Sequence, residues 1–346
     1  MGDVFTIGST EISASCHPYV IAEIGVNHDG SLDRGIELIH EAAAAGADAI
    51  KFQWFTANDL VAQGAKTAEY QKSQGISDQH HLLGGLELTA ADMSVLLARV
   101  HELGLHGIVT VFSEHLVDDA ALLDWDAWKT ASPDLVHRPL LDRLVADGRP
   151  MIVSTGGSTL QEVLRTNNWL CEHSVAFLQC VSAYPAADTQ ASLGGIHAIA
   201  AATGRICGYS DHTTSEYMGG LAVAAGAMIL EKHFTYSRKA TGPDHSASVD
   251  SAGLRRYIQF AREAHHALGV RNEKILMDVE KDVRGVARQS VRAARPIREG
   301  EVIEFKDLVI KRPGDGIEPW KLDQLVGSKV LRDFVIDQPF EDGDWQ

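Results

Sequence analysis

Two histidines in this chain of 346 residues stand where they can meet. His212 closes Gly208-Tyr-Ser-Asp-His and His233 closes Ile229-Leu-Glu-Lys-His, each ending a short apolar run that reads as a buried strand. A helix-like segment, residues 216–226, lies between them. Parallel neighbours joined by a crossover helix bring the same ends together, so both imidazoles can point at one spot. Such a pair can ligate Mn²⁺, Zn²⁺ or a similar ion. Asp211 and Glu231, beside the histidines in sequence, can ligate directly or steady an imidazole from behind.

Other reactive side chains fall at comparable places. Lys51 and Lys129 each end a strand-like run, where a lysine can be a Schiff-base nucleophile, a phosphate ligand or a solvated charge. Ser132, Ser154, Ser182 and Ser210 occur at or just beyond successive strand ends. Hydroxyls and cations converging on one volume suit a phosphate. Equally, each serine can simply cap the helix that follows it. Glu23 is an inward carboxylate able to move a proton.

The elements that must position these groups follow a repeating pattern: an alanine- or leucine-rich helix, a glycine, then a short strand ending in a polar residue. It recurs around Gly46, Gly104, Gly148, Gly204 and Gly226. Glycine suits the left-handed position that ends a helix, and the apolar run after it suits a strand buried on both faces. With residues 19–23, 127–129 and 175–180 the count reaches eight strands, and residues 251–268 supply the eighth helix. Eight such units predict an α/β fold, a (β/α)8 or TIM barrel, with the reactive groups at the strand C-termini.

Beyond residue 268 the pattern stops. The reading places a barrel at residues 1–270, a charged linker at 271–285, and a small loop-rich domain at 286–346 punctuated by Pro313-Gly-Asp-Gly316 and similar turns. Its size makes docking on the barrel or on a second subunit the expectation. The net charge of −16 disfavours nucleic acid as a partner. A small anionic substrate responds instead to the lysines in its own pocket. Apolar runs are too short for a membrane span, no signal-peptide pattern is visible, and the four cysteines lack CxxC spacing. Cys180 and Cys207 read as reduced, buried thiols, and a cytoplasmic location is the expectation.

Taken together, certain motifs carry a resemblance. Ile21-Ala-Glu-Ile-Gly-Val-Asn-His28, Gly46-Ala-Asp-Ala-Ile-Lys-Phe-Gln53, Ser154-Thr-Gly156, Gly208-Tyr-Ser-Asp-His-Thr213, Glu231-Lys-His-Phe-Thr235 and Gly242-Pro-Asp-His245 resemble the N-acetylneuraminate (sialic acid) synthase family. Lys311-Arg-Pro-Gly-Asp-Gly316 resembles that family's C-terminal antifreeze-like (SAF, β-clip) domain.

The resemblance implies a phosphoenolpyruvate-dependent condensation with an N-acetylhexosamine, N-acetylmannosamine or a related amino sugar, giving a nonulosonic acid and phosphate. The alternative acceptor is a 2,4-diacetamido-trideoxyhexose leading to legionaminic- or pseudaminic-type acids. It further implies that Glu23, Lys51 and Lys129 carry the catalysis. Phosphoenolpyruvate would be held by Lys51, Thr110, Lys129, Ser132, Ser154, Ser182 and Ser210. Glu23, Gln53, Tyr184 and Asp244 would face the sugar, and Arg312 would reach its N-acetyl group from a second subunit in a domain-swapped homodimer. His212 and His233 would bind a divalent metal, Mn²⁺ with Mg²⁺ or Co²⁺ as substitutes, while Asp211 and Glu231 support the imidazoles. A Schiff-base lyase and a non-catalytic sugar-binding protein are the remaining readings. Departures from the family pattern are Gln179, Val111, Ser182 and the loop at residues 64–85 with His80 and His81.

Overall fold

The computed structural model describes residues 4–61, 79–269 and 273–346, so most of the loop at residues 64–85 lies outside the described residues. By backbone contacts the chain divides into two units, Met1–Gly269 and Val270–Gln346.

The first unit is a closed barrel of eight parallel strands. We label them β1 (Tyr19–Gly25), β2 (Ala49–Trp54), β3 (His106–Val111), β4 (Ala127–Thr130), β5 (Met151–Ser154), β6 (Val175–Cys180), β7 (Cys207–Asp211) and β8 (Ile229–His233). Each pairs with the next in sequence, and β8 closes on β1 with His233 opposite Glu23. Both faces of these strands are covered, which is why the sequence shows nearly unbroken apolar runs. One residue parity (Val20, Ile50, Phe52, Val109, Trp128, Val153, Phe177, Tyr209, Leu230) packs outward against the helices. The other (Ile21, Ala49, Ile108, Ala127, Ile152, Ala176, Ile229) fills the lower barrel, where Phe5, Ile7 and Ile12 of a hairpin, Phe5–Ile7 with Thr10–Ile12, pack against the strand starts.

Helix ends sit where the sequence pattern places them. Gly46 ends the helix Leu32–Ala45 at φ 95°, and its N–H donates to the Ala42 and Ala43 carbonyls. A side chain there would force the left-handed conformation on an L-residue. The four corresponding glycines after later helices share positive φ. Capping boxes at Thr89 and Thr159 start the helices Ala90–Glu102 and Leu160–Trp169. The eighth helix is Ser251–Leu268, as expected. The helix between β7 and β8 is shorter than expected, Met218–Ala224. Hydroxyls divert the preceding backbone: Thr213 Oγ1 accepts from the Ser215 N–H and Ser215 Oγ from the Tyr217 N–H.

The second unit has its own small core of Val291, Ala293, Ile297, Ile303, Ile317, Leu325, Val330, Phe334 and Phe340. Its regular structure is slight, including one antiparallel pair, Ser290–Ala293 with Leu308–Lys311. The stretch read as a linker carries a 3₁₀ turn, Asp278–Glu280, and a short helix, Lys281–Ala287, neither with any buried residue. The valines of that helix, Val283 and Val286, are exposed, and seven residues are too few for a helical period to stand out among charged neighbours. All four cysteines are free, with Cys180 and Cys207 buried. Among the described residues no helix is long and apolar enough to cross a membrane.

Candidate active site

Side chains alternate in direction along a strand, so two residues beyond each apolar plug the same face points into the barrel mouth. Ile21 is followed by Glu23, Ala49 by Lys51 and Gln53, Ile108 by Thr110, Ala127 by Lys129, and Ile152 by Ser154. On β7 and β8 the inward series runs to Ser210 and His212, and to Glu231 and His233. These groups, with Ser132, Ser182, Tyr184 and Asp244, line a single cavity of about 310 Å³. Every predicted site residue of the first unit is thereby brought together; Arg312 belongs to the second unit.

The cavity floor is a buried network of charge. Lys51 Nζ pairs with Glu23 Oε2, donates to Thr110 Oγ1 at 3.0 Å, and lies 3.9 Å from Glu231 Oε2. Lys129 Nζ donates to Ser154 Oγ at 2.5 Å and to the Thr130 carbonyl at 2.9 Å, and lies 3.6 Å from Glu231 Oε1. Glu231 Oε1 also accepts from Ser210 at 2.8 Å, and Glu23 Oε1 accepts from Gln53 at the same distance.

These contacts set the protonation of the two acids apart. Burial raises the Glu23 carboxyl above its ordinary range, and the Glu231 charge adds to that against the opposing pull of Lys51. Burial also works to raise Glu231, but Lys129 and Lys51 outweigh it and hold that carboxyl well below the usual range. Burial depresses Lys129. One acid is therefore poised to exchange a proton, while the other stays ionised between the cations.

At the next level up sit the imidazoles, their ring centroids 5.4 Å apart. Tyr184 lies 4.1 Å from the His212 ring. His212 Nδ1 donates to the Val181 carbonyl at 2.8 Å, so in the neutral ring the lone pair falls on Nε2. His233 Nδ1 is buried without a hydrogen-bond partner, 3.7 Å from Asp244 Oδ2. Burial, then the neighbouring His212, pushes the His233 pKa well below its ordinary value, so that ring is neutral and able to ligate. An orphaned buried nitrogen beside a second oriented imidazole fits a divalent metal. Among the described residues no group of three or more His, Cys, Asp or Glu side chains is arranged to hold one. Two imidazoles would therefore be its protein ligands.

The expectation that Asp211 and Glu231 support the imidazoles is corrected in one respect: neither carboxylate hydrogen-bonds to a ring nitrogen. Asp211 has the opposite parity and faces away from the cavity, where it pairs with Lys232 at 2.9 Å. Glu231 shares the inward face with His233, yet its contacts are Ser210 and the two lysines.

Two loops complete the wall. Ser132 Oγ accepts from the Gly156 N–H at 3.0 Å. A Cβ at Gly156 would lie 2.7 Å from that oxygen and 3.0 Å from Cys180 Sγ, so only glycine permits the approach. Asp244 rides on the segment after β8, pinned where His245 bridges Thr235 Oγ1 at 2.7 Å and Asp29 Oδ1 at 2.9 Å.

This geometry agrees with comparisons to known proteins. The NeuB family pattern matches residues 38–273, and an SAF domain matches residues 288–344. This chain belongs to the NeuB family. It is 36% identical, over 90% of its own length and 90% of the relative's, to the N,N'-diacetyllegionaminic acid synthase of Legionella pneumophila. It is 31% identical to the human N-acetylneuraminate-9-phosphate synthase, over 91% and 89% of the two chains. Among solved structures, the N-acetylneuraminic acid synthetase of Leptospira borgpetersenii in complex with citrate superposes with a TM-score of 0.73 and 26% identity. It covers 82% of this chain and 95% of that one.

In this NeuB-family barrel the residue that sequence reasoning left out of the cavity is Glu231, with Phe112, Ala131 and Pro133 as further wall residues. The signal for Glu231 was present: it precedes His233 by two positions, the strand period that puts both on one face.

Proposed function

We propose that this chain condenses phosphoenolpyruvate with the open-chain form of an N-acetylated amino sugar, releasing phosphate and a nonulosonic (sialic-type) acid. The observation that carries the reading is one cavity in which two buried lysines and a row of buried hydroxyls lie beneath two imidazoles. Family membership supports it.

In this reading Lys51 and Lys129 hold the anionic ends of phosphoenolpyruvate, with Thr110, Ser132, Ser154, Ser182 and Ser210 donating hydrogen bonds. Glu231 stays ionised and keeps both ammonium groups aimed into the cavity. Carbon C3 of phosphoenolpyruvate forms a bond to the sugar aldehyde carbon, whose oxygen takes a proton. Water adds to the cationic C2 and gives up a proton, after which the C2–O bond breaks and phosphate leaves. Glu23, raised by burial and hydrogen-bonded to Gln53, is the group suited to moving these protons. Tyr184 and Asp244 line the sugar's side of the cavity. A divalent ion held by His212 and His233, Mn²⁺ with Mg²⁺ or Co²⁺ as substitutes, would polarise the sugar carbonyl when bound.

Arg312 is read as reaching the acetamido group from a second copy of the chain. Co-assembled Lys51→Met and Arg312→Ala subunits, each inactive alone, should then recover activity, because one site per dimer keeps both residues. No recovery would remove the cross-subunit role.

The reaction is tested with purified protein and a panel of N-acetylmannosamine, its 6-phosphate and a 2,4-diacetamido-trideoxyhexose. Phosphate release is followed with and without EDTA. Release should need both an acceptor and the metal, and bridging ¹⁸O in phosphoenolpyruvate should appear in the phosphate. Borohydride should trap no Lys51 adduct. A trapped imine, or no acceptor giving metal-dependent phosphate, would sink the reading.

A further inference from the structure

Asp211 and Lys232 form a buried charge pair that the proposed chemistry does not use. Both side chains are 0% exposed, one step out of phase with the residues lining the cavity, and they face the helices. Lys232 Nζ lies 2.9 Å from Asp211 Oδ2, donates to the Thr213 carbonyl at 2.5 Å, and sits 5.3 Å from the centre of the Tyr257 ring. Asp211 Oδ1 accepts from the Thr213 N–H at 2.8 Å.

Stability alone does not account for this pair. Withdrawing two charges from water offsets much of their attraction, and apolar side chains of similar volume often serve a core as well. Its position is more informative. The ladder between β7 and β8 ends at the partners Asp211 and Lys232, so His212 lies one residue past the last pair. The ladder therefore does not set how far the two imidazoles splay. Lys232 grips residues 211 and 213, which flank His212, and is itself bonded in sequence to His233.

We infer that Asp211 and Lys232 are positioning residues: from behind the barrel wall they hold the ends of β7 and β8 at the separation that lets His212 and His233 share one divalent cation. The inference rests on the metal-binding reading above. Charged partners at 2.9 Å suit the task because parting them in a low-dielectric core costs more than sliding an apolar contact.

The test is the dissociation constant for Mn²⁺ alone, read from the paramagnetic resonance signal of free Mn²⁺ without substrate. In the paired variant Asp211→Asn with Lys232→Met, both charges go together and no lone charge is stranded. Its melting temperature should match or exceed that of the parent, while the Mn²⁺ dissociation constant should weaken by about 10- to 100-fold, the usual effect of losing support behind a metal ligand. A folded paired variant that binds Mn²⁺ within twofold of the parent overturns the inference and leaves the metal reading intact. If that variant does not fold, Lys232→Arg keeps the charge with a different reach, and weakening is expected again; an unchanged constant overturns the inference. Failure of the parent protein itself to bind Mn²⁺ would instead remove the metal reading and the inference with it.

Discussion

Strands β7 and β8 carry buried charge on both faces, and the two faces handle it differently. Toward the helices, Lys232 and Asp211 answer each other at 2.9 Å, and Thr213 takes up a further contact from each. Toward the cavity, Lys51 and Lys129 share Glu231 at 3.9 and 3.6 Å, and Glu231 Oε2 and His233 Nδ1 have no hydrogen-bond partner. Asp211 Oδ2 makes no aligned hydrogen bond either, but its cation stands at 2.9 Å, whereas Glu231 Oε2 has Lys51 only at 3.9 Å and keeps bonding capacity that a ligand can take up. Burial alone therefore does not separate structural from functional charge. What separates them here is how closely an opposite charge answers each carboxylate, 2.9 Å on the outer face against 3.6 and 3.9 Å on the inner one.

The comparison breaks first at the cavity. Lys51→Met and Lys129→Met should each lower kcat/KM by about a thousandfold or more, as loss of a preorganised charge at a reacting phosphate does, while circular dichroism stays native. Residual activity within tenfold of the parent would mean the lysines are not the anion holders.

On the outer face the balance reverses. Lys232→Met alone should destabilise by about 3–5 kcal/mol, because Asp211 is left buried and unpaired, and adding Asp211→Asn should recover most of that loss. Urea unfolding of the three proteins checks it. Equal stability of the single and paired variants would show that the outer charges do not depend on each other.

A third buried group sharpens the contrast because burial outweighs the one charge acting on it, that of Asp29. Burial pushes the His28 imidazole down to about 4, against about 6.5 in an unfolded chain. Between those values the unfolded chain binds a proton that the folded chain refuses. Stability is therefore lost as pH falls through this window, by about 3 kcal/mol at most. His28→Asn should flatten that part of the profile, since asparagine can still accept from the Gly30 N–H as His28 Nδ1 does at 3.1 Å. Urea midpoints at pH 7, 5.5 and 4.5 compare the two slopes.

Much of the fold was legible because its signals are local. Five glycines at helix ends all proved to have positive φ, and each is followed by a barrel strand. Polar residues closing apolar strands marked one end of the barrel, where the cavity lies. The site was less legible where sequence neighbours part company. Asp211 adjoins His212 and Glu231 nearly adjoins His233, yet alternation sends Asp211 outward and Glu231 to the lysines. The short helix Lys281–Ala287 went unread because seven residues are too few to show a helical period.

By itself, the sequence determined the strand–helix rhythm, the places where helices stop, and the inventory of reactive groups, since these follow from backbone preferences and period-two alternation within a few residues. Only the tertiary structure decided which face of each strand looks inward and which charges meet. Closing β8 onto β1 sets His233 opposite Glu23, more than 200 residues earlier in the chain. A contact of that span depends on the register of the whole closed barrel, which no local stretch encodes.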